Sequence, residues 1–234
     1  MEPILIYGHP LGSSMGLIAA FEWLGQPYRL ARVKMPDDML GEEFKRLNGR
    51  QETPALLADG NRVITETMAV ALWLEARDTG RRISFAPGSP ESDRLHQVMA
   101  FLNTGFTGAF SPYWVALEST DPDPAYRAAL RRLGRELVND RHSKLEAMIG
   151  DTPYLLGGHP TLADAVFAGV ARWADFHGAI EPEAYPRIAA LKSRLHADPT
   201  VRFAVAIENG DEPAGSGAFK GHIPLGEMLD RVPA

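Results

Sequence analysis

The feature that most constrains this chain is a change of pattern at one place. Residues 78–92, DTGRRISFAPGSPES, hold two prolines and two glycines and show no periodicity, the mark of a connection between units. Ahead of it, short apolar runs alternate with helical stretches. Behind it, every patterned stretch has a helical period. A sheet must therefore be built before residue 78, and the rest of the chain must pack as helices.

PILIY at 3–7 is a short apolar run bounded by Gly8 and Pro10, and reads as a buried strand. Ser13 and Ser14 can cap a helix through MGLIAAFEWL, which Gly25 ends. YRLARV at 28–33 is a second strand, and 37–47 a helix with an acidic first turn. ALLA and RVI, joined by Asp59-Gly60-Asn61, read as a hairpin. A helix over 66–77 completes βαβαββα. Helices are then expected over 91–117, 124–149, 162–178, 185–196 and 199–208. These boundaries give a first domain over 1–79, a linker over 80–91, a helical domain over 92–209, and a Gly/Pro-rich tail over 210–234 that is either loose or a strap across the surface.

None of the 234 residues is cysteine. Disulfides, thiolate–metal sites and a protein thiol nucleophile are therefore excluded, and any sulfur chemistry must use a ligand's sulfur. The net charge of −6 argues against nucleic acid, since no basic surplus exists to displace counterions. The seven histidines show no metal-ligand spacing, so no metal is expected. The opening MEPILIYGHP has an apolar run too short for a signal peptide or a membrane span, with no basic region before it. The expectation is a cytoplasmic protein without a membrane partner.

Three segments then fall in order: NGRQETPALLADGNRVITETMAVALWL, VMAFLNTGFTGAFSPYW at 98–114, and YLLGGHPTLADAVFA at 154–168. The first resembles the Asn-Pro-x-Gly-x-Val-Pro…Asp-Gly…Glu-Ser-x-Ala-Ile segment of the glutathione transferases. The second resembles the helix leading to Phe-Ser-Pro in bacterial members, and the third the family's Gly-x-x-x-[Ser/Thr]-x-Ala-Asp segment. The resemblance runs from about residue 3 to 208 and is nearest to beta- and theta-like members. It implies an α/β plus all-α fold: an N-terminal thioredoxin-like domain followed by a helical bundle. It further implies a homodimer, glutathione as co-substrate, and a detoxifying transfer of glutathione to a small hydrophobic electrophile. The chain departs from the pattern in carrying Asn48-Gly49 for Asn-Pro, Thr53 for Val and Thr67 for Ser.

The resemblance also implies site residues. Thr53-Pro54 would be a cis bond whose preceding backbone pairs with the cysteinyl unit like an added strand. Glu66 and Thr67 open a helix, where free N–H groups favour a carboxylate. They would take the γ-glutamyl end, and Glu52 would lie near. Without the family, Thr53-Pro54 reads as a strand-initiating trans proline, and Thr65 as a cap for the helix that Glu66 complements.

A free thiol has a pKa of about 8.5, and lowering it by about two units takes roughly 2.7 kcal/mol of preference for the anion. A hydroxyl at a helix N-terminus supplies such a preference. Set against the beta-class Tyr-x-x-Pro-Gly-Ala-Cys-Ser, Ser13 falls on the cysteine and Ser14 on the following serine. Ser13 is the first candidate for thiolate donor and Ser14 the second. Plain helix capping is the other reading of both, and Tyr7 is structural. His9, Thr104, Phe106, Thr107 and Tyr113, with Trp114 beside them, are candidates for the second-substrate pocket. Phe106 fits the helical core equally well, and Thr107 stands where beta-class members have a histidine. Gly105 and Gly108 inside a helix each cost roughly 0.5–1 kcal/mol against Ala, and Pro112 should kink it. Thr161 and Asp164 read as a reciprocal cap without chemistry. Other readings of the same site are a glutathione-dependent disulfide reductase or peroxidase, and a non-catalytic adaptor or stress regulator of this fold.

Overall fold

The computed structural model describes residues 2–121 and 123–232. Met1, Pro122, Pro233 and Ala234, which the expected first domain, the break before residue 124 and the expected tail include, lie outside the described residues. The sheet begins with β1 (Ile4–His9) and β2 (Tyr28–Lys34), paired in parallel with Ile6 opposite Ala31. β3 (Ala55–Ala58) runs antiparallel to β1, with Ala55 opposite Ile6. β4 (Arg62–Thr65) is antiparallel to β3 and puts Thr65 opposite Ala55. The β3–β4 connection is tight because Gly60 (φ 69) and Asn61 (φ 58) both take the left-handed conformation.

Helices α1 (Met15–Leu24) and α3 (Thr67–Glu75) cover one face of the sheet, and α2 (Glu42–Leu47) the other. The helix expected over 37–47 is divided: a short 3-10 turn over Asp37–Met39 precedes α2, and Gly41 stands between them in extended conformation.

The stretch 91–117 is not one helix. It forms α4 (Pro90–Ala100), a π turn over Phe101–Phe106, and α5 (Ser111–Glu118). Pro112 sits in the first turn of α5, where its missing N–H costs nothing, so it starts a helix and does not kink one. α6 (Pro124–Met148), α7 (Leu162–Ala171), α8 (Trp173–His177), α9 (Pro186–Ala197) and α10 (Pro199–Asn209) complete the bundle. α7 is buried along its whole length. Its start is the expected capping box: Asp164 accepts from Thr161 N (2.8 Å) and Thr161 Oγ1 (2.9 Å), and also from Leu155 N (2.9 Å).

Glycine brings the sheet unit and the helical unit together. A Cβ on Gly16 of α1 would stand 1.8 Å from Ala165 O, and one on Gly169 of α7 2.2 Å from Ser13 O. Asp78 ties down the connection, accepting from Ile83 N (2.9 Å) and Ser84 Oγ (2.8 Å).

The tail is a strap that becomes part of the sheet. β5 (Phe219–His222) pairs in parallel with β2, giving the order β4-β3-β1-β2-β5. α11 (Leu225–Leu229) brings Met228 and Leu229 into the core that Ile4, Ile6 and Phe44 form on the α2 face. Buried Glu22 anchors the strap, accepting from Ser216 N (2.7 Å) and from Tyr28 Oη (2.8 Å). No helix among the described residues is long and apolar enough to cross a membrane.

Candidate active site

The sheet register assembles the site. The carboxyl end of β1, the start of β3 and the end of β4 all emerge at one edge of the sheet, because Ile6, Ala55 and Thr65 lie opposite one another in turn. From that edge leave the loop 10–14, the Thr53-Pro54 step and the start of α3, each carrying residues singled out by sequence.

The loop is gripped by the helical unit. Trp173 Nε1 donates to Leu11 O (2.8 Å), Arg172 Nη2 to Gly12 O (2.8 Å), and Gly12 N to Glu208 Oε1 (2.9 Å). Arg172 and Glu208 form a buried ion pair, with Arg172 Nη2 2.6 Å from Glu208 Oε1. Leu11 is held at φ 58, a conformation that is uncommon for a residue with a Cβ.

The two serines part company here. Ser14 is fully buried, and its Oγ accepts from Gly8 N (3.1 Å). Ser13 is half-exposed and faces an open cleft. Neither side chain caps α1: Ser14 is its N-cap residue but makes no side-chain cap bond. Tyr7 is structural. It is buried, donates to Ile207 O (3.3 Å) and lies 3.0 Å from His222 Nε2, and burial pushes its hydroxyl up to about 12.

The cleft has a volume of about 560 Å³. The sheet unit supplies Leu11, Ser13, Met35, Pro36, Met39 and Thr53. The helical unit supplies Trp114, Glu118 and Trp173. Thr53-Pro54 is cis, and Thr53 lies outside the ladder, which starts at Ala55. Its Oγ1 turns toward Met35 Sδ (3.5 Å), over Gly8, where a Cβ would come within 2.4 Å of both atoms.

Glu52, Glu66 and Thr67 form a second group at the same edge. Arg50, which the sequence did not bring forward, bridges the two carboxylates. Its Nε lies 3.2 Å from Glu52 Oε2, and its Nη2 meets Glu66 and Thr65 Oγ1. Asn48 holds the segment, donating to Glu52 O (2.8 Å) and accepting from Arg50 N (3.1 Å). Gln51, at φ 56, occupies the left-handed position where the family pattern has glycine. Glu66 caps α3 at φ 78, a strained conformation that costs of order 1–3 kcal/mol. Thr65 is the last residue of β4 and not the cap. Thr67 is the first helical residue, so its N–H has no partner within the helix.

None of His9, Thr104, Phe106, Thr107 and Tyr113 lines the cleft. For the last four the broken 91–118 region is the reason, since it turns their side chains away. Phe106 is buried 4.6 Å from the His142 ring, and Tyr113 stacks on His177 at 4.8 Å. Thr107 Oγ1 bonds its own helix at Leu102 O (2.9 Å), and Thr104 is on the surface. His9 is half-buried, and burial, helped by the Arg32 charge, holds it below its usual range. Trp114, one residue on from Tyr113, supplies the aromatic wall. It meets Trp173 edge-on at 5.2 Å. Trp173, Glu118, Arg172 and Glu208 went unseen, because only the approach of α5, α8 and α10 to the loop gives them a role. No group of three metal-ligating side chains occurs among the described residues.

A mixed sheet with a cis proline at the head of β3, a helical unit gripping the loop before α1, and a cleft between the two define the class: a thioredoxin-like domain joined to a transferase-type helical domain. The chain matches the model of the glutathione S-transferase N-terminal domain over residues 14–77 and that of the C-terminal domain over 123–191. It belongs to the glutathione S-transferase family. It is 27% identical over 194 residues to the glutathione S-transferase GstA of Escherichia coli O157:H7, covering 79% of this chain and 88% of that protein. The fold is similar to that of a glutathione S-transferase from Xylella fastidiosa, with TM-score 0.78 and 22% identity over 89% of this chain and 99% of that one. A glutathione transferase homologue from Sulfitobacter, solved with bound glutathione, superposes with TM-score 0.76 and 21% identity over 89% and 98% of the two chains. A beta-class enzyme from Sphingomonas chungbukensis does so with TM-score 0.73 and 22% identity over 88% and 98%.

Proposed function

We propose that the chain binds glutathione at this sheet edge, stabilises its thiolate with the Ser13 hydroxyl, and adds it to a small electrophile held in the cleft. The observation that carries this reading is that Ser13 and Thr53 face the same cleft, whereas Ser14 is committed to Gly8.

In this reading the backbone of Thr53 pairs with the cysteinyl unit. The Thr67 N–H and hydroxyl take the γ-glutamyl carboxylate, and Glu66 takes the ammonium. Glu66 must exchange its Arg50 partner for that ammonium, leaving the Arg50 guanidinium to Glu52 and to the peptide's carboxylates. Ser13 Oγ–H then donates to the sulfur beside the positive end of α1. The thiol proton leaves to solvent, and the sulfur attacks an electrophile lying against Trp114 and Trp173. A homodimer is part of the same proposal.

The test is a pH titration of bound glutathione followed by thiolate ultraviolet absorbance. The chain has no cysteine, so the signal belongs to the ligand. A bound thiol titrating about two units below the free value of about 8.5 is expected. Ser13→Ala should return it toward that value, and Ser14→Ala should not. A Ser13→Ala protein that keeps the lowered pKa removes Ser13 from the mechanism. Failure of the wild-type protein to bind glutathione removes the transferase reading altogether.

A further inference from the structure

Of the eleven residues that line the cleft, only Glu118 carries a side chain that is charged near neutral pH. It is the last residue of α5, where the helix dipole disfavours a negative charge. Its carboxylate makes no ion pair or hydrogen bond among the described residues. The neighbouring surface cavity shares Glu118 and adds Asp121, again with no cation in its lining. Trp114 and Trp173 beside Glu118, and Leu11, Met35 and Met39 across the cleft, make most of the lining apolar, and apolar walls focus the field of a charge onto whatever fills the space between them.

We infer that Glu118 makes charge a selector of the second substrate: the cleft takes flat apolar electrophiles that are neutral or cationic and discriminates against those carrying a carboxylate. This rests on the glutathione reading above, since it concerns the partner that the sulfur attacks. The selector sits at the wall and takes no part in bond making. For a chloronitroarene, the carbon–sulfur bond forms, the carbon–chlorine bond breaks with its electron pair going to chloride, and the thiol proton passes to solvent.

The experiment compares two probes of nearly equal shape, 4-chloro-3-nitrobenzamide and 4-chloro-3-nitrobenzoate, on the wild-type protein, Glu118→Gln and Glu118→Lys. Dividing each variant's benzoate-to-amide ratio of kcat/KM by the wild-type ratio cancels intrinsic reactivity. Removing one unit charge from contact range should raise that ratio about fivefold, and reversing it about twenty-five-fold. A ratio that stays the same in both variants overturns the inference. The same comparison is made in binding, with S-benzylglutathione and S-(4-carboxybenzyl)glutathione followed by quenching of Trp114 and Trp173 fluorescence. It decides the matter even if neither arene reacts, and the same shift is expected in the ratio of the two Kd values. Binding of both ligands without a charge effect sinks this inference alone. Absence of any binding by glutathione and both derivatives sinks the glutathione reading, and this inference with it.

Discussion

Ser14 Oγ is the partner of a buried Gly8 N–H, so Ser14→Ala strands a donor with no access to water. The expected cost is about 1–2 kcal/mol, read as a lower urea midpoint with unchanged slope. Ser13, half-exposed on the cleft, has no such duty, and Ser13→Ala should unfold within about 0.5 kcal/mol of the wild type. Equal losses in the two variants would contradict the division of roles. Glu208 and Arg172 make a sharper case. Both Gly12 N and Gly12 O are taken by this pair, so it fixes the loop that presents Ser13. Glu208→Ala leaves Arg172 without its counter-charge in a largely buried position and should cost about 3 kcal/mol. The apolar pair Arg172→Met with Glu208→Leu should lose less, because neither charge is then left alone. A double variant that is less stable than Glu208→Ala would show that the hydrogen bonds to Gly12, and not the pairing of charges, carry the stability.

At the scale of elements, the α1–α7 crossing is set by Gly16 and Gly169, each placed where a Cβ would overlap a backbone carbonyl. Backbone cannot swing aside as a side-chain tip can. Gly169→Ala should therefore push the units apart and cost about 2–3 kcal/mol, while Gly150→Ala, with open space around its Cβ position, serves as the control. Most of β1 to α3 was legible in the sequence because those elements carry their own period and stop signals, whereas the division of 37–47 at Gly41 was not. Gly25 ends α1, for example, at φ 73. β5 was not legible. FKGH is four residues long with Gly221 at φ 93, and it is a strand only because the β2 edge offers partners. Likewise, 91–117 reads as one helix from its period, and nothing in that period marks the π turn over Phe101–Phe106. The grouping of Ser13 and Thr53 on one cleft, with Glu66 and Thr67 beside the same strand ends, was legible through motif order. Trp173, Glu118 and Arg50 were not, since their roles arise from contacts distant in sequence. Truncation after residue 210 tests the strap. It uncovers the edge of β2 and removes Met228 and Leu229 from the core, so a markedly lower Tm is expected, and an unchanged Tm would make the strap dispensable.

The stability of the whole molecule should carry the signature of one buried histidine. His142 lies on α6 among Phe106, Phe110 and Tyr185, with Nδ1 donating to Val138 O (2.8 Å). Burial lowers it from 6.5 to about 4, against the pull of the Val138 carbonyl, with Lys192 lowering it further and Asp175 raising it. A depressed folded pKa means that the unfolded chain binds the proton first. The stabilisation is therefore complete above pH 6.5 and is lost as pH falls through about 4. Between pH 7 and pH 4.5 the loss should be roughly 2 kcal/mol. Asp164 slopes the other way: burial pushes its carboxyl up to about 6, outweighing the hydrogen bonds that lower it, so its contribution falls as pH rises toward that value. The total pH profile mixes the two, and a difference isolates the histidine. His142→Asn keeps a donor near Val138 O and cannot take up the proton, so wild type minus variant, from urea unfolding at each pH, should shrink by roughly 2 kcal/mol from pH 7 to pH 4.5. A difference that stays level across that range would mean that His142 takes up its proton in the fold as readily as in the unfolded chain, despite its burial among aromatic rings.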